Sequence, residues 1–372
     1  MCKVLFMAFS KIGSRKANAI QQAAMFGAVN RVCKSSIGVF LYPIVDFLRF
    51  VGRPNFRLSF IPIPVMPARR LTFFIYKLVI LLSIKLGRLD VAYTRSPVFA
   101  KLAMENGLST ILELHAVPRT DSKDHKTVGF AWSHPHLRRI VTISQTLADD
   151  LVLEYGLPHP GCDIVVAHDG AEPGFRPGPP AAHDGPLRVG YFGHLYPGKG
   201  METIALLAPL FPDLRFDVHG GTDADLTRWR AACAGQDNLI LHGHIPHEQV
   251  AERMADCDIL IAPYAAKVSH SGSGDIGRWM SPLKLFEYMA AERPVVTADL
   301  PVLREVVSDG ETALLCPPGD TDAYASALRR LTADPELSAR IGSAGRDLLE
   351  AEYTWEKRAR RVLDGIVPKD TK

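Results

Sequence analysis

Cysteine is scarce in this chain and is nowhere arranged in close pairs. The 372 residues contain six cysteines at long, irregular spacings, and none of them forms a CxxC pair. Disulfide-rich scaffolds and the common structural zinc sites need short, regular cysteine spacings, so both are excluded. We expect reduced, mostly buried thiols, as is usual for a cytoplasmic protein, at Cys2, Cys33, Cys162, Cys233, Cys257 and Cys316.

The sequence also lacks a clean apolar run long enough to cross a membrane. The very apolar segment Leu71–Leu86 is interrupted by Lys77 and Lys85, and it falls short of the about 18 uninterrupted residues that a span requires. The apolar stretch after Lys3 ends within about six residues without a cleavage site, so no secretory signal is predicted. We expect Leu71–Leu86 to form a helix that lies on a surface, in a cytoplasmic protein.

Acidic side chains are few in the first 120 residues. That part of the chain holds 4 Asp and Glu against 17 Lys and Arg, whereas residues 121–372 hold 36 against 26. A basic N-terminal half indicates an anionic partner, which could be a membrane surface, an anionic acceptor or nucleic acid. We expect no nucleic-acid partner, because no known nucleic-acid module or aromatic platform accompanies the charge.

Short β-branched runs alternate with helical patterns along the whole chain, with about six runs in each half. This alternation predicts an α/β fold with two Rossmann-like doubly wound domains that face each other across a cleft. Residues 171–186 contain five prolines and three glycines and predict a linker. We therefore expect domains at 1–170 and 187–350, and a helical segment at 351–372 that returns to the N-terminal domain.

A glycine-rich loop between a predicted strand and a predicted helix is the first candidate site. The segment Gly190–Gly200 (GYFGHLYPGKG) brings Lys199 to the start of a helix. Glycines allow close approach to the backbone, and a helix start with a lysine favours an anion, so a phosphate is the expected ligand. The order matches neither a Walker loop nor a GxGxxG fingerprint. An ordinary strand-to-helix turn with a surface lysine is an equal alternative.

A second candidate site begins at Ser281, in the segment SPLKLFEYMAA. Ser281 is a good N-cap and Pro282 suits the first helical position, which leaves the amides of Leu283 and Lys284 as unpaired donors. Glu287 then lies on a face next to that of Lys284. A capped amphipathic helix with exposed Lys and Glu is the simpler interpretation, and physical arguments alone favour it.

The segment Glu113–His115 ends a predicted strand of the N-terminal half and is the third candidate site, although a lone histidine is more often structural. Zinc is not expected at the pairs His134/His136 and His242/His244, because no third ligand lies near either pair in the sequence. A Ser-His-Asp hydrolase is not predicted either, since no GxSxG elbow is present.

Together these segments resemble a known family. GYFGHLYPGKG followed by SPLKLFEYMAAERPVV is similar to the C-terminal half of family 4 glycosyltransferases (glycosyltransferase group 1), which have the GT-B fold. VTIS at 141–144, HDGAEPGFRP at 168–177, NLILHGHIP at 238–246 and DCDILIA at 256–262 fit the same pattern. The resemblance covers roughly residues 90–363 and is thin before them.

The resemblance implies a retaining transferase that moves a sugar from a nucleotide-diphosphate sugar to a sugar or lipid-linked acceptor, in polysaccharide or glycolipid biosynthesis. It implies that the N-terminal domain binds the acceptor and the C-terminal domain the donor. It makes His115, close to the donor sugar, and Lys199, at the diphosphate, the candidate catalytic residues. The candidate donor-binding residues are Gly13, Gly193, His194, Lys199, Gly243, His244, Ile245, Leu283, Lys284 and Glu287.

Several of these residues have specific roles in the resemblance. His194 stands where many relatives carry an arginine that contacts phosphate. The amides of Leu283 and Lys284, and the backbone at Gly13, would meet phosphate. Residues 243–245 would border the nucleobase. Glu287 would hold the ribose hydroxyls.

The chain departs from the family at one position. Eight residues before Glu287 the first glutamate of the family motif is replaced by Trp279, so the choice of sugar is open, and Asp275 could take its place. We expect no cofactor and no metal ion, because this fold class needs no DxD-type metal site. The alternatives are another GT-B enzyme, such as a sugar-nucleotide epimerase, or a non-catalytic GT-B binding protein, which Trp279 favours. A phosphorylase is disfavoured by chain length and by the lack of a cofactor-lysine signature.

Basic residues of the N-terminal half cluster around Leu71–Leu86. The pattern is typical of an amphipathic helix in the headgroup layer of an anionic membrane, and predicts peripheral attachment to the inner face of the membrane. A core helix under the N-terminal sheet, with solvated basic neighbours, is the alternative. The basic residues are Arg49, Arg53, Arg57, Arg69, Arg70, Lys77, Lys85 and Arg88.

Overall fold

The computed structural model describes residues 3–11, 17–33, 36–42, 60–66, 68–174, 176–178, 185–268 and 277–366. The chain forms two compact units. Unit 1 comprises Met1–His168 and Trp355–Lys372, and unit 2 comprises Asp169–Thr354. The chain therefore enters unit 2 at Asp169, two residues before the segment 171–186 predicted as a linker, and it re-enters unit 1 at Trp355.

Unit 1 is built on a seven-stranded sheet. Its strands are β1 Val4–Lys11, β2 Ser36–Tyr42, β3 Phe60–Pro64, β4 Val91–Thr94, β5 Ser109–Leu114, β6 Leu137–Thr142 and β7 Asp163–Val166. All pairings are parallel, and the spatial order is β3-β2-β1-β4-β5-β6-β7. The order reverses between β1 and β4, which is where ligands bind in open α/β sheets.

Helices connect the parallel strands of unit 1, as crossover connections must. They are α1 Ala17–Cys33, α2 Arg69–Leu86, α3 Pro97–Glu105, α4 Lys123–Trp132 and α5 Gln145–Tyr155. Serine caps begin two of them, because the Ser122 and Ser144 side chains accept from the amides three residues on. The predicted α/β alternation is thus confirmed, with one more strand in this sheet than the periodicity indicated.

Helix α2 has two apolar faces. On one face Tyr76 and Ile80 are fully buried against the sheet, and the Tyr76 hydroxyl donates to the Val39 carbonyl at 2.7 Å. On the other face the side chains are 43–78% exposed, and they are Leu71, Phe74, Leu78, Leu82 and Leu86. Among the described helices none is long and apolar enough to span a bilayer. One face of α2 thus packs under the sheet, as the core-helix alternative expects, while the other face leaves apolar side chains exposed, and attachment to a membrane stays a prediction.

Unit 2 repeats the architecture with six strands. They are β8 Leu187–Phe192, β9 Leu214–His219, β10 Leu239–Gly243, β11 Ile259–Ala262, β12 Val295–Ala298 and β13 Leu314–Cys316. All pairings are again parallel, in the order β10-β9-β8-β11-β12-β13. The switch point of this sheet lies between β8 and β11.

The helices of unit 2 cover both faces of this sheet. They are α6 Met201–Leu207, α7 Asp223–Ala232, α8 His247–Ala255, α9 Leu283–Ala290, α10 Pro301–Arg304, α11 Thr321–Ala333 and α12 Pro335–Glu352. A buried arginine fixes α9 from its C-terminal end: Arg346 of α12 donates from Nη1 to the carbonyls of Ala290 and Pro173, both at 2.5 Å. Cationic donors at a helix C-terminus satisfy its free carbonyls, so Arg346 holds α9 in place.

A last helix, α13 Trp355–Leu363, belongs to unit 1 although it follows unit 2 in the chain. Arg139 of β6 anchors the end of this helix by donating to the carbonyls of Val362 at 2.8 Å and Asp364 at 2.9 Å. Arg139 also forms two hydrogen bonds with the Asp163 carboxylate. Of the segment predicted to return to the N-terminal domain, residues 355–366 lie in unit 1, whereas residues 351–354 end unit 2.

Candidate functional site

The loop after β8 is held in a fixed shape by a tyrosine and by glycines. The hydroxyl of Tyr191 lies 2.7 Å from the His194 carbonyl oxygen and 3.2 Å from that of Lys199. Gly198 has a φ of +79°, and a Cβ there would lie 2.2 Å from the carbonyl oxygen of Lys267. Only glycine fits that position, and the loop therefore packs directly on the segment that follows β11.

The carboxyl ends of β8, β9 and β10 are linked through three glycines. The Gly193 amide donates to His219, and the Gly220 amide donates to Gly243 at 2.7 Å. A Cβ on Gly220 would lie 2.0 Å from the Gly193 carbonyl oxygen, so the two loops touch backbone to backbone. Gly193 and Gly243, predicted from the sequence, lie at this edge, whereas Gly220 was missed because no motif marks it.

Two lysines approach the same aromatic ring, that of Tyr264, at the switch point. Lys199 Nζ lies 5.6 Å from the ring centroid of Tyr264, and Lys284 Nζ lies 5.1 Å from it. Lys284 Nζ also lies 3.8 Å from the ring centroid of Tyr191. Both distances for Lys284 are within the range of cation–π attraction. Lysines from two different loops thus converge beside β8 and β11.

The environment shifts the protonation of both lysines. Burial lowers the pKa of Lys199 to about 8. Burial, and then the positive charge of Lys199, hold the pKa of Lys284 well below its usual value, while Glu287 opposes the shift. Two cations in one poorly solvated place repel each other, and an anion between them would stabilise both. The geometry therefore favours an anionic ligand.

Helix α9 starts differently from the sequence-based expectation. Ser281 was predicted to cap the helix, but its hydroxyl accepts from the Asp169 amide at 2.8 Å, and Pro282 is the N-cap residue. The prediction was wrong because the backbone of a distant segment competes for the serine oxygen. No side chain caps α9, so Leu283 and Lys284 keep their place at an uncapped helix start.

The remaining donor-site candidates occupy the same edge of unit 2 or lie outside the described residues. His194 is exposed and stacks on Tyr196 with ring centroids 4.8 Å apart. His244 is exposed, and Ile245 lines a cavity of about 260 Å³ together with His219. Trp279 is half-buried just before α9. Gly13 and Asp275 lie outside the described residues.

In unit 1 a buried carboxylate binds the third candidate. Glu113 at the end of β5 is completely buried, and its Oε1 lies 2.5 Å from Nε2 of the half-buried His115. Since a carboxylate only accepts, Nε2 of His115 is the nitrogen that donates in this hydrogen bond. Gln21 of α1 donates to the same carboxylate at 2.8 Å, and so does the Tyr93 hydroxyl.

A fully buried charge partner of Glu113 comes from the other end of the chain, in addition to Arg95 at 3.9 Å. Arg358 of α13 is 2% exposed and donates from Nη1 to Glu113 Oε2 at 3.2 Å, across 245 residues of sequence. Burial alone would raise the pKa of Glu113, but the charge of Arg358 and the hydrogen bond from His115 outweigh it and lower the pKa to about 2. Glu113 is therefore ionised and fixes His115. Motif reasoning found His115 but could not find Arg358.

Among the described residues no group of three His, Cys, Asp or Glu side chains could hold a metal ion. In the HxH pairs, the rings of His134 and His136 are tilted with centroids 5.6 Å apart, and His242 Nε2 lies 2.5 Å from Asp217 Oδ1. Metal independence remains a prediction from the resemblance.

Comparison with known proteins identifies the family of the site-bearing region. Residues 186–334, which contain the β8 loop and α9, match the family model described as "Glycosyl transferases group 1". A phosphatidyl-myo-inositol mannosyltransferase of Mycobacterium leprae is 30% identical over 171 residues, which is 45% of this chain. The match spans 42% of that relative, so less than half of its length is compared.

Solved structures extend the likeness to the whole chain at the level of fold. Anabaena HepE in complex with UDP and glucose matches with a TM-score of 0.71 at 16% identity, covering 98% of this chain and 99% of that one. A glycosyltransferase from Rickettsia africae matches with a TM-score of 0.73 at 14% identity, covering 98% and 97%. At such identities the likeness establishes the fold, two doubly wound α/β units of the GT-B type.

Proposed function

We propose that this chain, whose residues 186–334 match the group 1 glycosyltransferase model and whose fold is of the GT-B type, transfers a sugar from a nucleotide-diphosphate sugar to an acceptor. The observation that carries the proposal is the convergence of Lys199 and Lys284 on Tyr264 at the switch point of unit 2. A departing nucleoside diphosphate accumulates negative charge, and fixed cations there stabilise the transition state. Lys199 is the proposed catalytic cation, and no metal ion is needed for this role.

The ribose and the nucleobase of the donor would bind at the same edge of the unit 2 sheet. Glu287 lies one helical turn after Lys284 and accepts hydrogen bonds from the ribose hydroxyls in our proposal. Residues 243–245, at the carboxyl end of β10, border the nucleobase. The glycine contacts at the strand ends support this arrangement, since they keep bulky side chains away from a flat ligand.

In unit 1 the proposed contribution to catalysis comes from His115, which is held by Glu113. We assign His115 a contact with the donor sugar, as the family resemblance implies. The hydrogen bond to Glu113 supports the assignment, because it holds the His115 ring in one orientation. Retention of the anomeric configuration belongs to the proposal and rests on the family resemblance.

A lipid-linked acceptor fits the surface of unit 1. The mannosyltransferases among the relatives are named for phosphatidyl-myo-inositol, a lipid. Helix α2 exposes a continuous apolar face, and all of its charged residues are basic. Such a face suits the headgroup layer of an anionic membrane, so we propose peripheral attachment that brings the enzyme to its acceptor.

Product analysis on a panel of nucleotide sugars tests the proposed activity. We expect slow release of the nucleoside diphosphate from one donor, faster release in the presence of a lipid extract, and an α- or β-linked product with the anomeric configuration of the donor by NMR. An epimerase would change the sugar without releasing the nucleoside diphosphate. A binding protein would retain the donor unchanged, and either result would refute the proposal.

A further inference from the structure

We infer that the ε-ammonium group of Lys284, and not only its backbone amide, is a second cation of the diphosphate site. The inference rests on the proposed function and assigns a side chain for which the sequence suggested only a main-chain role. It follows from where the Lys284 nitrogen lies, from what surrounds it, and from the charge that the ligand brings.

The nitrogen of Lys284 is shielded from solvent although the residue as a whole is partly exposed, and it has no hydrogen-bond partner among the described residues. It reaches the end of β8, where a Cβ built on Gly193 would lie 3.0 Å from it. The rings of Tyr191 and Tyr264 form its walls. A glycine at 193 is therefore what leaves room for the ammonium group next to the phosphate-binding loop.

Burying an ammonium group without an acceptor is unfavourable, and two aromatic faces compensate only part of that cost. Lys199 adds repulsion, whereas Glu287 gives partial relief. A residue that destabilises the unliganded protein in this way is typical of a binding site, where the ligand supplies the missing partner. A diphosphate would supply acceptor oxygens to all three N–H donors of the lysine.

The charge of the ligand requires more than Lys199. A nucleoside diphosphate carries roughly two to three negative charges near neutral pH, because a terminal phosphate has its second pKa near 6. Lys199 and Lys284 together offset most of that charge. Since burial keeps the pKa of both lysines low, anion binding should also draw protons onto them from solution.

The test compares wild type with Lys284→Met, which keeps the length of the side chain and the backbone amide but removes the charge. Titration calorimetry with uridine, guanosine and adenosine diphosphates at pH 8, in two buffers of different ionisation enthalpy, gives affinity and proton uptake together. Lys126→Met, on the exposed side of α4, is the control and should match wild type. We expect at least tenfold weaker binding and a smaller proton uptake in Lys284→Met.

Thermal unfolding separates a binding role from a structural one. Without ligand, Lys284→Met should unfold at the same temperature as wild type or higher, while the stabilisation by nucleoside diphosphate should shrink. A lower midpoint without ligand, or a variant that fails to fold, would mean that Lys284 holds the fold together and would overturn the inference. Unchanged affinity in a folded variant would also overturn it and leave the proposed function intact. If wild type itself bound none of the nucleotides, both would fail.

Discussion

Lys199, the proposed cation at the diphosphate, has a pKa close to physiological pH. Burial lowers its pKa to about 8, so its positive charge is lost as the pH rises through that value. Affinity for the nucleoside diphosphate should therefore be highest below pH 8 and decline above it. Lys199→Ala should weaken binding and turnover at least tenfold at pH 7, which is about 1.4 kcal/mol or more.

The lowered pKa of Lys199 also affects stability, but in the opposite direction to binding: stability improves as the pH rises. Between about 8 and the usual lysine pKa the unfolded chain binds more protons than the folded one, so the Lys199 contribution to stability improves as the pH rises through that window. Denaturant titrations at pH 7 and pH 10 on wild type and Lys199→Ala measure this pH dependence of the free energy of unfolding.

The role of Lys199 at the diphosphate is tested by turnover. If the kinetics of a folded Lys199→Ala equalled those of wild type, Lys199 would have no role at the diphosphate.

Glu287 provides a second test at single-residue scale. In Glu287→Gln one acceptor oxygen becomes an NH₂ donor, which cannot accept from a ribose hydroxyl. We expect weaker binding of the nucleoside diphosphate, and a 2′-deoxyribose ligand should lose much of its penalty in the variant. Titration calorimetry of the ribose and the 2′-deoxyribose nucleotide with wild type and with Glu287→Gln measures the four affinities. Equal affinities across all four combinations would reject the ribose assignment.

At the scale of elements, α2 presents the clearest surface for an experiment. Replacing Phe74 and Leu78 by Ser removes two exposed apolar side chains without touching the buried Tyr76 and Ile80. Burial of each such side chain contributes about 1.5–3 kcal/mol, so binding to anionic vesicles should fall at least tenfold. Leu153→Ser, at an 86% exposed leucine of α5, is the matched control.

Co-sedimentation with vesicles measures the effect. Wild type and Leu153→Ser should bind anionic vesicles in a salt-dependent way and should not bind neutral ones. Absence of wild-type binding to either kind at low salt would leave the apolar face of α2 for a different partner.

Helix α13 brings a charged side chain, Arg358, into the interior of unit 1 in addition to its packing contacts. Arg358→Met removes the fully buried charge partner of Glu113, whereas Arg95 at 3.9 Å and His115 remain, so the loss of stability should lie near the lower end of the about 3–5 kcal/mol that breaking a buried pair costs. Arg360→Met, at an exposed arginine of the same helix that pairs with Glu356, should change little. Denaturant unfolding compares the two variants. Equal stability of both would contradict the pairing.

Acid denaturation provides an independent measurement of the same carboxylate. The pKa of Glu113 is lowered to about 2 in the folded protein, so its contribution to stability is present above the unfolded pKa, near 4.5, and is lost as the pH falls towards 2. Glu113→Gln should therefore flatten the loss of stability between pH 5 and pH 2. A variant with the acid profile of wild type would assign that loss to other groups.

At the scale of the whole molecule, the periodicity of the sequence predicted the architecture but not every strand. Strand β2 was missed because Gly38 interrupts its β-branched pattern, and glycine weakens a strand prediction. The glycine has a packing reason: a Cβ at 38 would lie 2.6 Å from the Phe26 ring of α1. The close packing of β2 against α1 explains the glycine at 38, and local strand propensity carries no information about that contact.

The candidate site residues also fall into those that the sequence located and those whose contacts it could not show. Lys199, Glu287 and His115 stand at strand ends or helix starts, which motifs and resemblance can locate. The side-chain position of Lys284, the hydrogen bond of Ser281 to Asp169 and the pairing of Arg358 with Glu113 depend on distant segments meeting. Sequence patterns carry no direct information about such encounters.

The return of the chain to unit 1 also sets the order in which the protein can be completed during synthesis. Unit 2 begins and ends side by side, since the Ala171 amide donates to the Tyr353 carbonyl and Ala171 pairs with Thr354. At 5–20 residues per second a ribosome needs on the order of 10–40 s to make unit 2 after β7. Throughout that interval Glu113 has no Arg358. The nascent unit 1 should remain sensitive to protease until α13 emerges, so the unit whose translation begins first is the last to mature.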